Sequence, residues 1–149
     1  MLEFSVLGSG SGGNCAVARS GRDCVLVDAG LSAKQMVLRL EQIGVAADEV
    51  TGIVLTHEHG DHTRGLDVFL RKRDVPVYCN ARTREVMTRY RDFRSEITWR
   101  LFESGDAFQI GDFRVESFDV THDAVEPVGY VLRNGDGSVG VVSDLGKVT

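Results

Sequence analysis

Apolar and polar positions along the chain change period several times, and each change marks an element. Leu2 to Leu7 reads as a strand that enters a glycine-rich loop, Gly8 to Asn14. Cys15 to Arg19 and Cys24 to Val27 form a predicted hairpin around Ser20-Gly21-Arg22-Asp23. Asp28-Ala29-Gly30 ends the second strand. Helical spacing follows: Met36, Leu40 and Ile43 recur on one face and are assigned to the core. Ser32 with Gln35 three positions on is a capping box, and Gly44 is the stop. Thr51 to Thr56 is a short apolar strand, the polar run His57 to His62 follows it, and Leu66, Phe69 and Leu70 predict a further helix. Val75 to Cys79 is a strand with its proline near the start, and a basic helix spans Arg82 to Tyr90. From Ile97 onward the pattern is short strands, Ile97–Phe102, Ala107–Ile110, Phe113–Val120, Val128–Arg133 and Val139–Ser143, separated by glycine turns. The order is mixed strand and helix, then mainly strand, with no linker or repeat.

Length and composition narrow this picture. The 149 residues are one domain's worth of chain, 42% hydrophobic and 26% charged, which excludes collagen, coiled coil and a largely disordered chain. No apolar run approaches the ~18 residues of a membrane span. The N-terminus lacks the pattern of a secretory signal. Cys15, Cys24 and Cys79, odd in number and without CxxC spacing, read as free core thiols in a reducing compartment, which sets the expected location as cytoplasmic. The net charge of −5 is uneven. Residues 71–100 hold nine Arg/Lys against four acids, so this segment is +5 and the rest of the chain −10.

The candidate chemistry is concentrated in Thr56-His57-Glu58-His59-Gly60-Asp61-His62, where three imidazoles and two carboxylates fall within six positions at a strand end. These are the usual ligands of zinc and its neighbours. His57 and His59, two apart, point the same way in an extended segment. Asp61 and His62 sit where the next helix begins and turn toward a second ion, with Gly60 expected to supply the bend. The only other histidine is His122, after a predicted strand, and Asp28 and Asp144 also sit at predicted strand ends. So dense a cluster would repel protons and cations if it held no metal.

His57-x-His59-x-Asp61-His62, with Asp28, His122 and Asp144 in the right order, resembles the signature of the metallo-β-lactamase superfamily. The segments Val6–Cys15, Leu26–Ser32 and Thr56–His59 are similar to its YycJ/WalJ-type branch, whose members are regarded as bacterial cytoplasmic DNA exonucleases. The resemblance implies an α/β (α+β) αββα sandwich, of which residues 1–149 are the N-terminal half and the start of the second. It implies two divalent ions, zinc first, with manganese, iron or cobalt as alternatives. One ion takes His57, His59 and His122, the other Asp61 and His62, with Asp144 bridging and Asp28 orienting the ligand loop. The implied reaction is phosphodiester hydrolysis by a metal-bridging hydroxide, with Asp61, His62 and Asp144 as the catalytic set. The family also carries a later histidine that this chain lacks, so the chain is expected to be an N-terminal piece with exposed apolar surface and a weaker second site.

Other readings stand beside this one. The Gly8–Gly13 loop lacks both phosphate-loop patterns and reads as a tight loop at the site's rim. Arg82, Arg84, Arg89 and Arg91, with Tyr90, Phe93 and Trp99 interleaved, are candidate DNA contacts, set against a plain solvated face. Glu58 lies between ligands without the helical spacing of H-E-x-x-H and is read as outward-facing or beside them. A small-molecule (thio)ester or lactone hydrolase of the same fold and an inactive fragment are the competing functions. No membrane partner is expected, and the exposed sheet makes self-association a candidate.

Overall fold

In the computed structural model, residues 2–120 and 126–142 are described. Strands β1 (Leu2–Gly8), β2 (Cys15–Ser20), β3 (Asp23–Val27), β4 (Gly52–Val54), β5 (Val77–Asn80) and β6 (Trp99–Phe102) form one sheet in that spatial order. The first three make an antiparallel meander, and β3 through β6 run parallel. Strands β7 (Ala107–Ile110), β8 (Phe113–Asp119), β9 (Val128–Asn134) and β10 (Gly137–Val141) form a second, antiparallel sheet. The helices are α1 (Ala33–Gln42), α2 (Gly60–Thr63), α3 (Leu66–Leu70) and α4 (Ala81–Tyr90).

The inner strands of the first sheet, β2 to β5, are buried on both faces, and their sequence shows why. Successive strand side chains point to opposite faces. On one face Val17, Cys24, Leu26, Ile53, Leu55, Val77 and Cys79 pack against Met36, Leu40, Leu66, Phe69 and Met87 of the helices. The intervening Ala16, Ala18, Val25, Val27 and Val54 pack against Phe113, Val115, Val128, Tyr130 and Leu132 of the second sheet. Strands apolar at every position are therefore the central layer of a helix–sheet–sheet stack. Two bonds sew the sheets together near the end of β4: the Tyr130 hydroxyl donates to Leu55 O at 2.5 Å, and Val128 N donates to Thr56 O at 2.9 Å.

Three local expectations are corrected. Ile43 is 38% exposed and lies past the end of α1, outside the core. Ser32 does cap α1, accepting from Gln35 N at 3.2 Å, but the Gln35 side chain accepts from Arg39 Nε at 3.4 Å, so no reciprocal capping box forms. Gly60 lies inside α2 with nothing within 4 Å of where a Cβ would stand, so the turn there does not require glycine. Gly44 is the stop expected, at φ +79°. Phe4, Val6 and Val142 are exposed and line a cleft of about 240 Å³ beside β10.

Candidate metal centre

The parallel strands β3 and β4 end side by side, and both chains turn there into the site. Ligand sites in such sheets form beyond the carboxyl ends of the strands. After β3, Asp28 adopts φ +67°, the one non-glycine residue at positive φ among those described. Its carboxylate is buried and accepts three bonds: Oδ1 from Thr56 N at 2.8 Å, and Oδ2 from Thr56 Oγ1 at 2.8 Å and His62 Nδ1 at 2.6 Å. Burial pushes the Asp28 carboxyl up from its ordinary value, and the bonds from His62 and Thr56 pull it back down.

This bonding fixes which nitrogen His57 and His62 present. A carboxylate only accepts, so Thr56 Oγ1 gives its one proton to Asp28. Thr56 Oγ1 lies 2.9 Å from His57 Nδ1 and must accept there, which places the His57 proton on Nδ1. His62 likewise donates from Nδ1 to Asp28. Both imidazoles thus carry their lone pairs on Nε2, the form that binds a cation.

His57, His59 and Asp61 bring one ligand atom each to within 4.8 Å of one another. Donors ~2.1 Å from a shared ion sit at most ~4.2 Å apart, so small side-chain rotations close the set. Asp61 Oδ2 also lies 3.7 Å from His62 Nε2, so Asp61 stands between the two histidines of β4's end and the histidine of α2. His57 and His62 are fully buried, whereas the His59 and Asp61 side chains are 35% and 26% exposed, which opens the cluster to solvent on one side. Two imidazoles and a carboxylate, with the His57 tautomer set by Thr56, are a donor set that fits zinc or a similar divalent ion. His122 and Asp144, the other assigned ligands, lie outside the described residues.

The glycine-rich loop is built for this site. Asn14 Nδ2 donates to Asp61 O at 3.2 Å and Oδ2 at 3.3 Å, and Asn14 N donates to Asp61 O at 2.7 Å. The loop closes on Asn14 in turn, with Gly10 N donating to Oδ1 at 3.0 Å and Gly10 O accepting from Nδ2 at 2.9 Å. The backbones approach so closely that a Cβ on Gly30 would stand 1.8 Å from Asp61 O. Asn14 and Thr56 were not singled out from the sequence. Their only sequence signal is position, directly before β2 and directly before His57.

Glu58 sits beside the ligands, its Oε2 4.0 Å from His59 Nε2. Arg82, Arg84 and Arg89 are exposed on α4, with Arg89 paired to Glu85 at 2.7 Å. Arg91 differs: it is half-buried and its Nη1 donates to Thr63 Oγ1 at 2.7 Å. Of the interleaved rings, Tyr90 is the most open to solvent. Phe93 and Trp99 are partly buried, meet edge to face at 6.2 Å and pack on the helix-side core.

The fold and ligand turn define a class, and residues 8–148 match the metallo-β-lactamase superfamily; the chain belongs to it. Among curated proteins it is 40% identical over 148 residues to "Exodeoxyribonuclease YycJ" of Bacillus anthracis, covering 99% of this chain and 56% of that protein. It is 36% identical over 150 residues to "Exodeoxyribonuclease WalJ" of Streptococcus pneumoniae, again covering 99% and 56%. The chain thus spans about half the length of the curated relatives it matches. Among solved structures it is similar to the Rm3 metallo-β-lactamase, with a TM-score of 0.76 at 18% identity over 92% of this chain and 56% of that one.

Proposed function

We propose that the chain carries the metal-binding half of a metal-dependent phosphodiesterase that trims DNA from an end. The observation that carries this reading is the convergence of His57, His59 and Asp61 within 4.8 Å, backed by Asp28 and Asn14. Similarity to proteins named exodeoxyribonucleases supports DNA as the substrate class. Two divalent ions, zinc first and manganese, iron or cobalt after it, would be held by His57, His59 and His122 on one side and Asp61 and His62 on the other, with Asp144 shared. Such ions supply Lewis acidity, lowering the pKa of a water and spreading charge on phosphate oxygens.

This chain's own residues do the rest. Asp28 and Thr56 hold the imidazole tautomers. Asn14 fixes the Asp61 carboxylate. The exposed Arg82, Arg84 and Arg89 offer phosphate contacts on α4. Three buried free thiols support a cytoplasmic place of action.

The test is an end-labelled DNA digest. The full chain, loaded in turn with zinc and manganese, is incubated with single- and double-stranded oligonucleotides, with matched RNA, and with thioester and lactone substrates. Release of mononucleotides from DNA, abolished by chelator and by His57→Ala, is expected. Hydrolysis of the thioester or lactone alone would replace the nuclease reading with a small-molecule one. No turnover of any substrate would leave a metal-binding fragment.

A further inference from the structure

Helix α2 carries Asp61 and His62 but is only four residues long. A single turn is not stable alone, so its position must come from tertiary contacts. On one side these are the bonds from Asn14 to Asp61 O and from Ala29 N to His62 O at 2.8 Å. On the other side stands Thr63, fully buried. Its hydroxyl donates back to the ligand turn, at 3.1 Å from His59 O and 3.3 Å from Glu58 O. The same hydroxyl accepts from Arg91 Nη1 at 2.7 Å, and Arg91 Nη2 donates to Thr63 O at 3.3 Å. The guanidinium is backed by the Phe93 ring, 5.0 Å from its centroid. Arg91 follows α4 directly, so this fork ties the end of α4 to the ligand turn.

We propose that Arg91 is a positioning residue for the metal-ligand turn, acting through Thr63, and not a contact to substrate. The inference rests on the reading of the His57–His62 turn as a metal site. Its chemistry follows from shape. Arg presents a planar fork whose two terminal nitrogens engage the hydroxyl and the carbonyl of one residue together, whereas the Lys donors all radiate from a single nitrogen. Arg82, Arg84 and Arg89 keep their guanidinium groups at the surface, whereas Arg91 turns its own inward.

The test separates metal affinity from DNA affinity in the full chain. Metal affinity is read by competition for cobalt against a chromogenic chelator, with the cobalt absorption spectrum as a report on ligand geometry. DNA affinity is read on the metal-free chain with a fluorescent single-stranded oligonucleotide. Arg91→Met and Thr63→Val should each weaken metal binding ~10-fold and alter the cobalt spectrum, as removal of groups supporting metal ligands does. Thr63→Ser, which keeps the hydroxyl, should restore near wild-type affinity, and Arg91→Lys should recover only part. Arg91→Met should keep its DNA affinity, whereas Arg89→Met, the comparator for a surface phosphate contact, should lose DNA affinity and keep metal. Should Arg91→Met not fold, the contrast between Thr63→Val and Thr63→Ser decides the matter.

Wild-type metal affinity in both Arg91→Met and Thr63→Val would overturn the proposal while leaving the metal site intact. So would loss of DNA affinity in Arg91→Met with metal binding unchanged. A wild-type chain that takes up no cobalt would overturn the metal reading itself, and this proposal with it.

Discussion

Asp28→Asn tests the tautomer argument directly. The substitution keeps the shape of the side chain and its bond from Thr56 N, taken by the amide oxygen in place of Oδ1. The amide nitrogen then replaces Oδ2, facing Thr56 Oγ1 and His62 Nδ1, and it can only donate. Thr56 Oγ1 must accept from it and so must direct its own proton to His57 Nδ1. His62 must accept at Nδ1 as well. Both imidazoles are pushed to carry N–H at Nε2, the atom a metal needs. Restoring the binding tautomers forfeits about two hydrogen bonds of ~1 kcal/mol each, which predicts metal affinity lowered roughly 30-fold. The metal-free chain should lose little stability, because a buried carboxylate is neutralised as its charge-assisted bonds are lost. Chelator competition at neutral pH gives the first quantity and a metal-free thermal melt the second. Metal affinity within threefold of wild type, in a folded Asp28→Asn chain, would refute the reasoning.

Three further outcomes are expected. Gly30→Ala places a methyl carbon 1.8 Å from Asp61 O, so it should destabilise the chain by at least ~1–3 kcal/mol and weaken metal binding, measured by urea melts and metal titration. Tyr130→Phe leaves Leu55 O without its 2.5 Å donor between the sheets and should cost about 1–3 kcal/mol in the same melts; a change below ~0.5 kcal/mol would contradict the role given to that bond. Burial raises all three thiols, Cys24 to about 11, Cys79 to about 12 and Cys15 further. Because the folded values lie above the unfolded value of ~8.5, their contribution to stability is fully present below that pH and is lost as pH rises through the folded values. A disulfide-exchange reagent at pH 8 should therefore label none of the three in the native chain and all three in denaturant.

The sequence was legible where local pattern decides structure. The doubly apolar β2, β3 and β4, the hairpin turns and the histidine-rich turn after β4 follow from side-chain period and ligand chemistry, and they place the site at the sheet's carboxyl edge. What was not legible depends on contacts between distant residues. Asn14 reaches Asp61 across 47 positions and Arg91 reaches Thr63 across 28, so neither role has a local signature. Arg91 read as one more surface charge because its neighbours on α4 are surface charges. Ile43 fits the helical period of Met36 and Leu40, yet α1 has already ended there. The capping box failed because Arg39, one turn further on, takes the Gln35 carbonyl.

The claim on which the rest depends is that the His57–His62 turn binds metal. Elemental analysis of the full chain, purified gently and then equilibrated with zinc, measures it beside a His57→Ala/His59→Ala double variant. At least one ion per wild-type chain and none on the folded double variant is the predicted result. No ion on the wild type, or equal content in both, would contradict the account.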